Sequence, residues 1–203
     1  MTLCKSPALA VILNGRKTAN KIRKSVKFMD DTIKFEVLQP SHYQTYIEIG
    51  TKAYNQHYRH LWPNGVTDTY IESSFTHQVL LNEEQDENTV LYLIKVNIEY
   101  IGILKITLHK ELQTYNKLDA LYLDKIYILK EFSGKGIGTK SLHFVENIAK
   151  KHLKKTIFLE SMQKGPALQF YINNNFSIVG TTKVPFSNVI EEEKPMYLLK
   201  KDI

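Results

Sequence analysis

The 203-residue sequence has a single cysteine, Cys4, so no intrachain disulfide can form, and a reducing compartment such as the cytoplasm fits the chain. It has no apolar run approaching the ~18–20 residues that cross a bilayer, which argues against a membrane partner. There is no internal repeat and no low-complexity tract. His57 and His60 have no carboxylate or cysteine at a familiar ligand spacing, so no metal is expected. What is present is an ordinary globular composition, 43% hydrophobic and 24% charged. A chain of this length forms one domain that buries roughly two-thirds of its unfolded surface.

Acid is missing from one stretch. Residues 1–28 hold seven of the 27 Lys and Arg and no Asp or Glu, leaving 20 bases against 21 acids in the rest, so the formal net charge of +6 belongs to this segment. The body is not basic. The segment lacks the interleaved aromatics of a single-strand binder, so nucleic acid is not an expected partner. Residues 1–30 read as a basic N-terminal extension without a catalytic role. An ordered first helix, a transit-like segment and a stretch upstream of a start at Met29 are also open. Residues 31–203 read as the single domain.

The most informative stretch runs from Leu121 to His152. Leu121, Tyr122, Leu123, Ile126, Tyr127, Ile128 and Leu129 form a nearly continuous apolar and aromatic run, the pattern of a strand covered on both faces. Leu142, Val145, Ile148, Ala149 and Leu153 then recur every three or four residues, predicting an amphipathic helix. Between them lies Ser133-Gly-Lys-Gly-Ile-Gly138. Glycines there let the backbone turn sharply and lie against a ligand, and the free amides that open a helix favour an anion such as a phosphate. Lys135 and Lys140 add positive charge. A Gly-x-Gly-x-Gly loop alone is equally a sharp strand-to-helix turn. The Gly-Lys-Ser/Thr ending of a P-loop is absent, as are the acidic residue and second βαβ unit of a dinucleotide fold.

Other elements follow from periodicity. Thr32 to Leu38 alternates as a half-buried strand. Pro40-Ser41 opens a helix with Ser41 as N-cap and Tyr43, Tyr46, Ile47 and Tyr54 facing inward. A second helix is predicted from Asp68 to Leu81, and Thr89–Val96 with Tyr100–His109 form an antiparallel hairpin. Glu83–Asn88 reads as a solvated acidic loop. Thr156–Met162 is a strand, and Ser177–Val184 with Lys194–Lys200 is a further strand pair. The fold class is α+β, a mixed and mostly antiparallel sheet with helices on both faces.

Downstream of the glycine loop, Lys164-Gly-Pro-Ala-Leu-Gln-Phe-Tyr171 and Asn175-Phe176 complete a pattern. The loop resembles the Gln/Arg-x-x-Gly-x-Gly/Ala motif of the GNAT superfamily of acyl-CoA-dependent N-acetyltransferases, and the later segment its Asn-x-x-Ala-x-x-Phe-Tyr and Gly-Phe motifs. Ser133 stands where that family has Gln or Arg, Lys164 where it has Asn, and Asn175 where it has Gly. Within the superfamily the chain is similar to bacterial spermidine/spermine acetyltransferases in Tyr70-Ile-Glu-Ser-Ser-Phe75, Leu123-Asp-Lys-Ile-Tyr-Ile128 and the Phe-Tyr segment.

The resemblance implies a GNAT-like sheet whose central strand and the Ile157–Ser161 strand run parallel and splay to admit acetyl-CoA. It implies cofactor contacts at Ile126, Tyr127 and Ile128 for pantetheine, at Ser133, Gly134, Lys135, Gly136, Ile137, Gly138 and Thr139 for pyrophosphate, and at Lys164. Tyr171 would be the acid that protonates the leaving thiolate. The loop between the first two helices would wall the acceptor pocket with His57, Tyr58 and Trp62. An attacking amine with a pKa of about 10.4 needs a base. Asp124, a charge interrupting an apolar strand, is the first choice, with Glu160 and Glu72 as reserves that also line the acceptor site. The implied acceptor is a small primary amine, a polyamine first, with a protein N-terminus or lysine, or a non-catalytic acyl-CoA-binding role, as alternatives. A homodimer is compatible with the chain.

Overall fold

Among the described residues seven strands form one sheet, in the order β1-β2-β3-β4-β5-β7-β6. They are β1 (Ile33–Val37), β2 (Thr89–Val96), β3 (Glu99–Thr107), β4 (Ala120–Ile128), β5 (Thr156–Met162), β6 (Ser177–Lys183) and β7 (Pro195–Asp202). The computed structural model describes residues 32–112 and 115–203; the expected extension, residues 1–30 with Cys4, lies outside them. Every neighbouring pair is antiparallel except β4 and β5. The predicted mixed, mostly antiparallel sheet is therefore the observed one.

Helices α1 (Tyr43–Tyr58), α2 (Asp68–Ser74) and α3 (His77–Glu84) precede β2, while α4 (Ile137–Lys151) and α5 (Pro166–Asn173) flank β5. Strand alternation divides the core between the two faces. Tyr92 and Ile94 of β2, Leu104 and Ile106 of β3, and Leu121 and Leu123 of β4 pack with Leu142, Val145 and Ala149 of α4. Leu91, Leu93 and Ile103 pack on the opposite face with Tyr46 and Tyr54 of α1 and Leu80 of α3.

Two helix expectations are corrected. Ser41 does not cap α1: it lies inside a short 3₁₀ turn, Pro40–His42, and its Oγ is 3.3 Å from His42 Nδ1. The helix predicted over Asp68–Leu81 is two, because Phe75 leaves helical geometry and Thr76 restarts the chain, its Oγ1 accepting the Val79 amide at 3.2 Å. A Thr cap of this kind contributes about 1 kcal/mol.

Two features of β4 position the site. It pairs with β5 only at Ala120↔Thr156, Leu121↔Ile157 and Tyr122↔Phe158, after which the strands part. From Leu123 to Ile128 its outer edge has no β5 partner. The vertex is tied where the Asp119 carbonyl accepts the amides of Lys155 (2.7 Å) and Thr156 (3.2 Å). Lys154, which is buried, reaches across from β5's approach to donate to the Leu118 carbonyl at 2.8 Å.

The second feature is a bulge. Lys105 pairs with Lys125 and Ile106 with Leu123, so Asp124 is an extra residue with no partner on β3. Before it, Leu121 and Leu123 face α4; after it, Ile126 and Ile128 do, and Tyr127 joins the opposite core. One inserted residue thus slips the phase and turns both Asp124 and Lys125 toward the α1–α3 side.

Candidate active site

The splay opens into two cavities that share Tyr58, Ile126, Tyr127, Ala167 and Tyr171. The first, of about 450 Å³, is lined by Ile126, Tyr127 and Ile128, by Ser133, Gly134, Gly136, Ile137, Gly138 and Thr139, and by Pro166, Ala167 and Phe170. The second, of about 440 Å³, is lined by Asp124, Lys125, Glu83, Lys105, Tyr122 and Glu160 with Tyr54, Tyr70 and Phe186.

The first cavity suits an extended ligand ending in phosphates. Gly134 (φ +72°) and Gly136 (φ +76°) are left-handed, and a Cβ on either would meet no atom within 4 Å, so the cradle stands open on that side. The ladder of α4 begins with Lys140 N–H to the Gly136 carbonyl, which leaves the amides of Ile137, Gly138 and Thr139 without an intrahelical acceptor. No acidic residue occupies the first turn to compete for them. Glu131, the nearest carboxylate in sequence, is held by Lys52 (2.6 Å) and Gln56 (3.0 Å), and these hydrogen bonds push its pKa down to about 2. Opposite the loop, the free edge of β4 presents extended backbone amides and carbonyls to a ligand lying along it. This chemistry fits acetyl-CoA.

Most of the expected cofactor residues gather here. Lys135 and Lys164 do not: Lys135 Nζ stands 4.7 Å from the Phe132 ring centroid, and Lys164 pairs with Glu193 at 2.8 Å on an exposed part of the surface. Asn175, in place of the motif's glycine, takes φ +68°, a conformation that asparagine tolerates better than most residues. Tyr171 projects from α5 to the junction of both cavities. Burial pushes its phenol well above the usual tyrosine range, so the group stays protonated.

The acceptor-side expectations divide. Tyr58 faces both cavities. His57 lines only the first, where its Nε2 meets the Ile128 carbonyl at 2.9 Å. Trp62 lines neither: at 2% exposed it belongs to the core and donates its indole N–H to Tyr54 Oη at 2.9 Å. Glu72 is exposed on α2 and outside both cavities. Asp124 is in place, 2.9 Å from Lys105 Nζ, and Glu160 accepts a hydrogen bond from Tyr122 Oη at 3.1 Å.

Three charged groups were not foreseen. Glu83, read as part of a solvated loop, binds Lys105 at 2.6 Å and lines the second cavity. Lys105 is thereby clamped between Glu83 and Asp124; burial pulls its pKa down, but the two carboxylates outweigh it and hold the ammonium above its ordinary value. Lys125, only 9% exposed, also reaches this cavity. A tyrosine wall completes it: the Tyr54 and Tyr70 rings stack at 3.8 Å, and Tyr70 and Tyr127 join hydroxyls at 2.7 Å. Among the described residues no three His, Cys, Asp or Glu side chains gather as metal ligands, and no helix is long and apolar enough to cross a membrane.

Known proteins share this architecture. The fold matches the PaiA N-acetyltransferase from Thermoplasma acidophilum in complex with coenzyme A, at 17% identity and a TM-score of 0.67 over 85% of this chain and 99% of that one. It also matches Ard1 from Thermoplasma volcanium, at 11% identity and 0.59 over 84% and 97%. The ribosomal-protein-S18-alanine N-acetyltransferase from Escherichia coli matches at 12% identity and 0.60 over 85% and 94%. At these identities the likeness is one of fold. Residues 51–176, more than half of the sequence and including the glycine loop, β4 and Tyr171, match the model of the acetyltransferase (GNAT) family, to which this chain belongs.

Proposed function

We propose that this acetyltransferase moves the acetyl group of acetyl-CoA directly to a primary amine of a small molecule in a ternary complex. The observation that carries the reading is the meeting of two cavities across the β4–β5 splay at Ile126, Tyr127 and Tyr171, which lets a thioester from one side face an amine from the other. Holding both reactants in line removes much of the entropic barrier.

The free β4 edge from Leu123 to Ile128 aligns the pantetheine arm, and a backbone N–H there polarises the thioester carbonyl. Ser133, Gly134 and Gly136 to Thr139 hold the pyrophosphate. Asp124 takes the proton of the incoming ammonium. The amine nitrogen then forms the C–N bond, the C–S bond breaks, and Tyr171 gives its proton to the departing thiolate. The phenolate is restored by the second proton that the nitrogen sheds. Glu160 and Glu83 make the same wall attractive to a cation. A polyamine acceptor rests on the sequence resemblance and on these carboxylates, while Lys105 and Lys125 oppose a polycation.

The test is release of free CoA thiol from acetyl-CoA across spermidine, spermine, other small amines and short peptides, with Tyr171→Phe in parallel. Turnover of an amine that falls ~10²–10³-fold in kcat in the variant, with acetyl-CoA binding unchanged by calorimetry, supports the scheme. Silence with every amine while acetyl-CoA still binds defeats it in favour of a non-catalytic acyl-CoA-binding protein.

A further inference from the structure

Lys125 is a buried lysine whose ammonium has no carboxylate in ion-pair contact. It is 9% exposed, on a strand covered by α1 to α3, and among the described residues it makes no hydrogen bond and no ion pair. Its Nζ stands 6.0 and 5.7 Å from the ring centroids of Tyr70 and Phe75, contacts that soften its desolvation but leave its three donors unused. The nearest carboxylate in sequence, Asp124, lies 2.9 Å from Lys105 Nζ and makes no ion pair with Lys125. Burial holds the Lys125 pKa below the ordinary lysine value, with attraction to Asp124 acting the other way.

An ammonium packed against aromatic rings with no carboxylate in contact gives up hydration without return, and mere packing at this position would be served better by an apolar residue. The side chain opens only on the acceptor-side cavity, and it is the bulge at Asp124 that turns it there. It also precedes Ile126, where the two cavities meet, so a group bound by Lys125 sits one residue along the strand from the reacting centre.

We propose that Lys125 binds a carboxylate of the acceptor, so that the amine acetylated at this site belongs to an amino acid or a comparable zwitterion rather than to a polyamine. The assignment rests on the acetyltransferase reading and narrows its substrate class. The wall is built for both charges: Asp124 and Glu160 for the ammonium, Lys125 for the anion. A polyamine would bring a second cation toward Lys125 and leave that residue's cost uncompensated.

The deciding experiment compares acceptors that differ only by a carboxylate, lysine against cadaverine and ornithine against putrescine, by thiol release and by calorimetric binding to the CoA-loaded protein. In the wild type we expect kcat/KM for the amino acid to exceed that of its diamine at least tenfold. Lys125→Met should abolish that preference, lowering amino-acid turnover and, with the opposing cation gone, raising that of the diamine, and Lys125→Arg should restore part of it. Lys125→Met removes an uncompensated buried charge and should melt no lower than the wild type; if it fails to fold, the wild-type pairs still decide. Diamines preferred by the wild type, or a preference for amino acids that survives Lys125→Met, overturn the assignment and leave the acetyltransferase reading intact. Carboxylate-dependent binding that is lost in Lys125→Met without any turnover keeps Lys125 as the carboxylate site and defeats the catalytic reading. Neither turnover nor carboxylate-dependent binding defeats both.

Discussion

Replacing Lys105 by methionine tests how the second cavity is held together. The Lys105 side chain is 12% exposed, and its ammonium lies 2.6 Å from Glu83 and 2.9 Å from Asp124. Those distances put the two carboxylates at most ~5.5 Å apart, a separation at which like charges at an effective dielectric of ~20 repel by about 3 kcal/mol. The carboxylates keep 18% and 25% exposure, so screening removes part of this, and Lys105→Met should cost about 2 kcal/mol at pH 7.

The sign of the pH dependence follows. In the variant the two carboxylates face each other without the cation between them, and protonating either one relieves the repulsion. The deficit should therefore be largest at pH 7 and shrink toward pH 4. In the wild type, the raised Lys105 pKa means that its contribution is fully present below the ordinary lysine value and is lost only as pH climbs through the raised one. Urea unfolding followed by the fluorescence of Trp62, the sole tryptophan and 2% exposed, reports both. A deficit below ~0.5 kcal/mol at pH 7, or one as large at pH 4, would refute the clamp.

The remaining tests are shorter. Asp124→Asn keeps the shape of the bulge and removes the proposed base, so kcat should drop ~10²-fold with KM for acetyl-CoA unchanged; a drop under threefold moves the base to Glu160 or Glu83. Gly136→Ala adds a Cβ that meets no atom within 4 Å but imposes φ +76° on alanine, costing ~1–2 kcal/mol and lowering Tm by about 3–6 °C in a scanning melt. The same Cβ intrudes on the pyrophosphate cradle, so acetyl-CoA affinity should fall tenfold or more by calorimetry, and unchanged affinity would detach that loop from the ligand.

Parts of this site were legible because local chemistry dictates them. Glycines at 134 and 136 do take left-handed turns, and the apolar run of β4 does lie inside the sheet. Tyr171 was legible through its motif. What the sequence concealed are features decided by non-local packing. The phase slip at Asp124 exists only relative to β3, so a continuous apolar run gave no sign that Lys125 would turn to the acceptor side. Glu83 looked like one of several acids in a polar loop until β3 placed Lys105 beside it. Trp62, followed by Pro63 and Asn64, had the look of a pocket rim, but a fused ring with one N–H is stabilised most by full burial once Tyr54 accepts its hydrogen bond. The break between α2 and α3 was invisible because Phe75 continues the helical period while its backbone does not.

The three-pair contact between β4 and β5 has a mechanical consequence. Leu123 to Ile128 extends roughly 20 Å beyond the contact, so a tilt of about 5° between the strands moves their open ends apart by roughly 1.7 Å. The gap works as a long lever on a short hinge. Its opening is governed at the fulcrum, where Asp119 holds Lys155 and Thr156 and Lys154 holds Leu118, more than by the side chains that line it. The length of acyl chain this enzyme accepts should accordingly respond to substitutions at Asp119 and Lys154, residues that touch neither cavity.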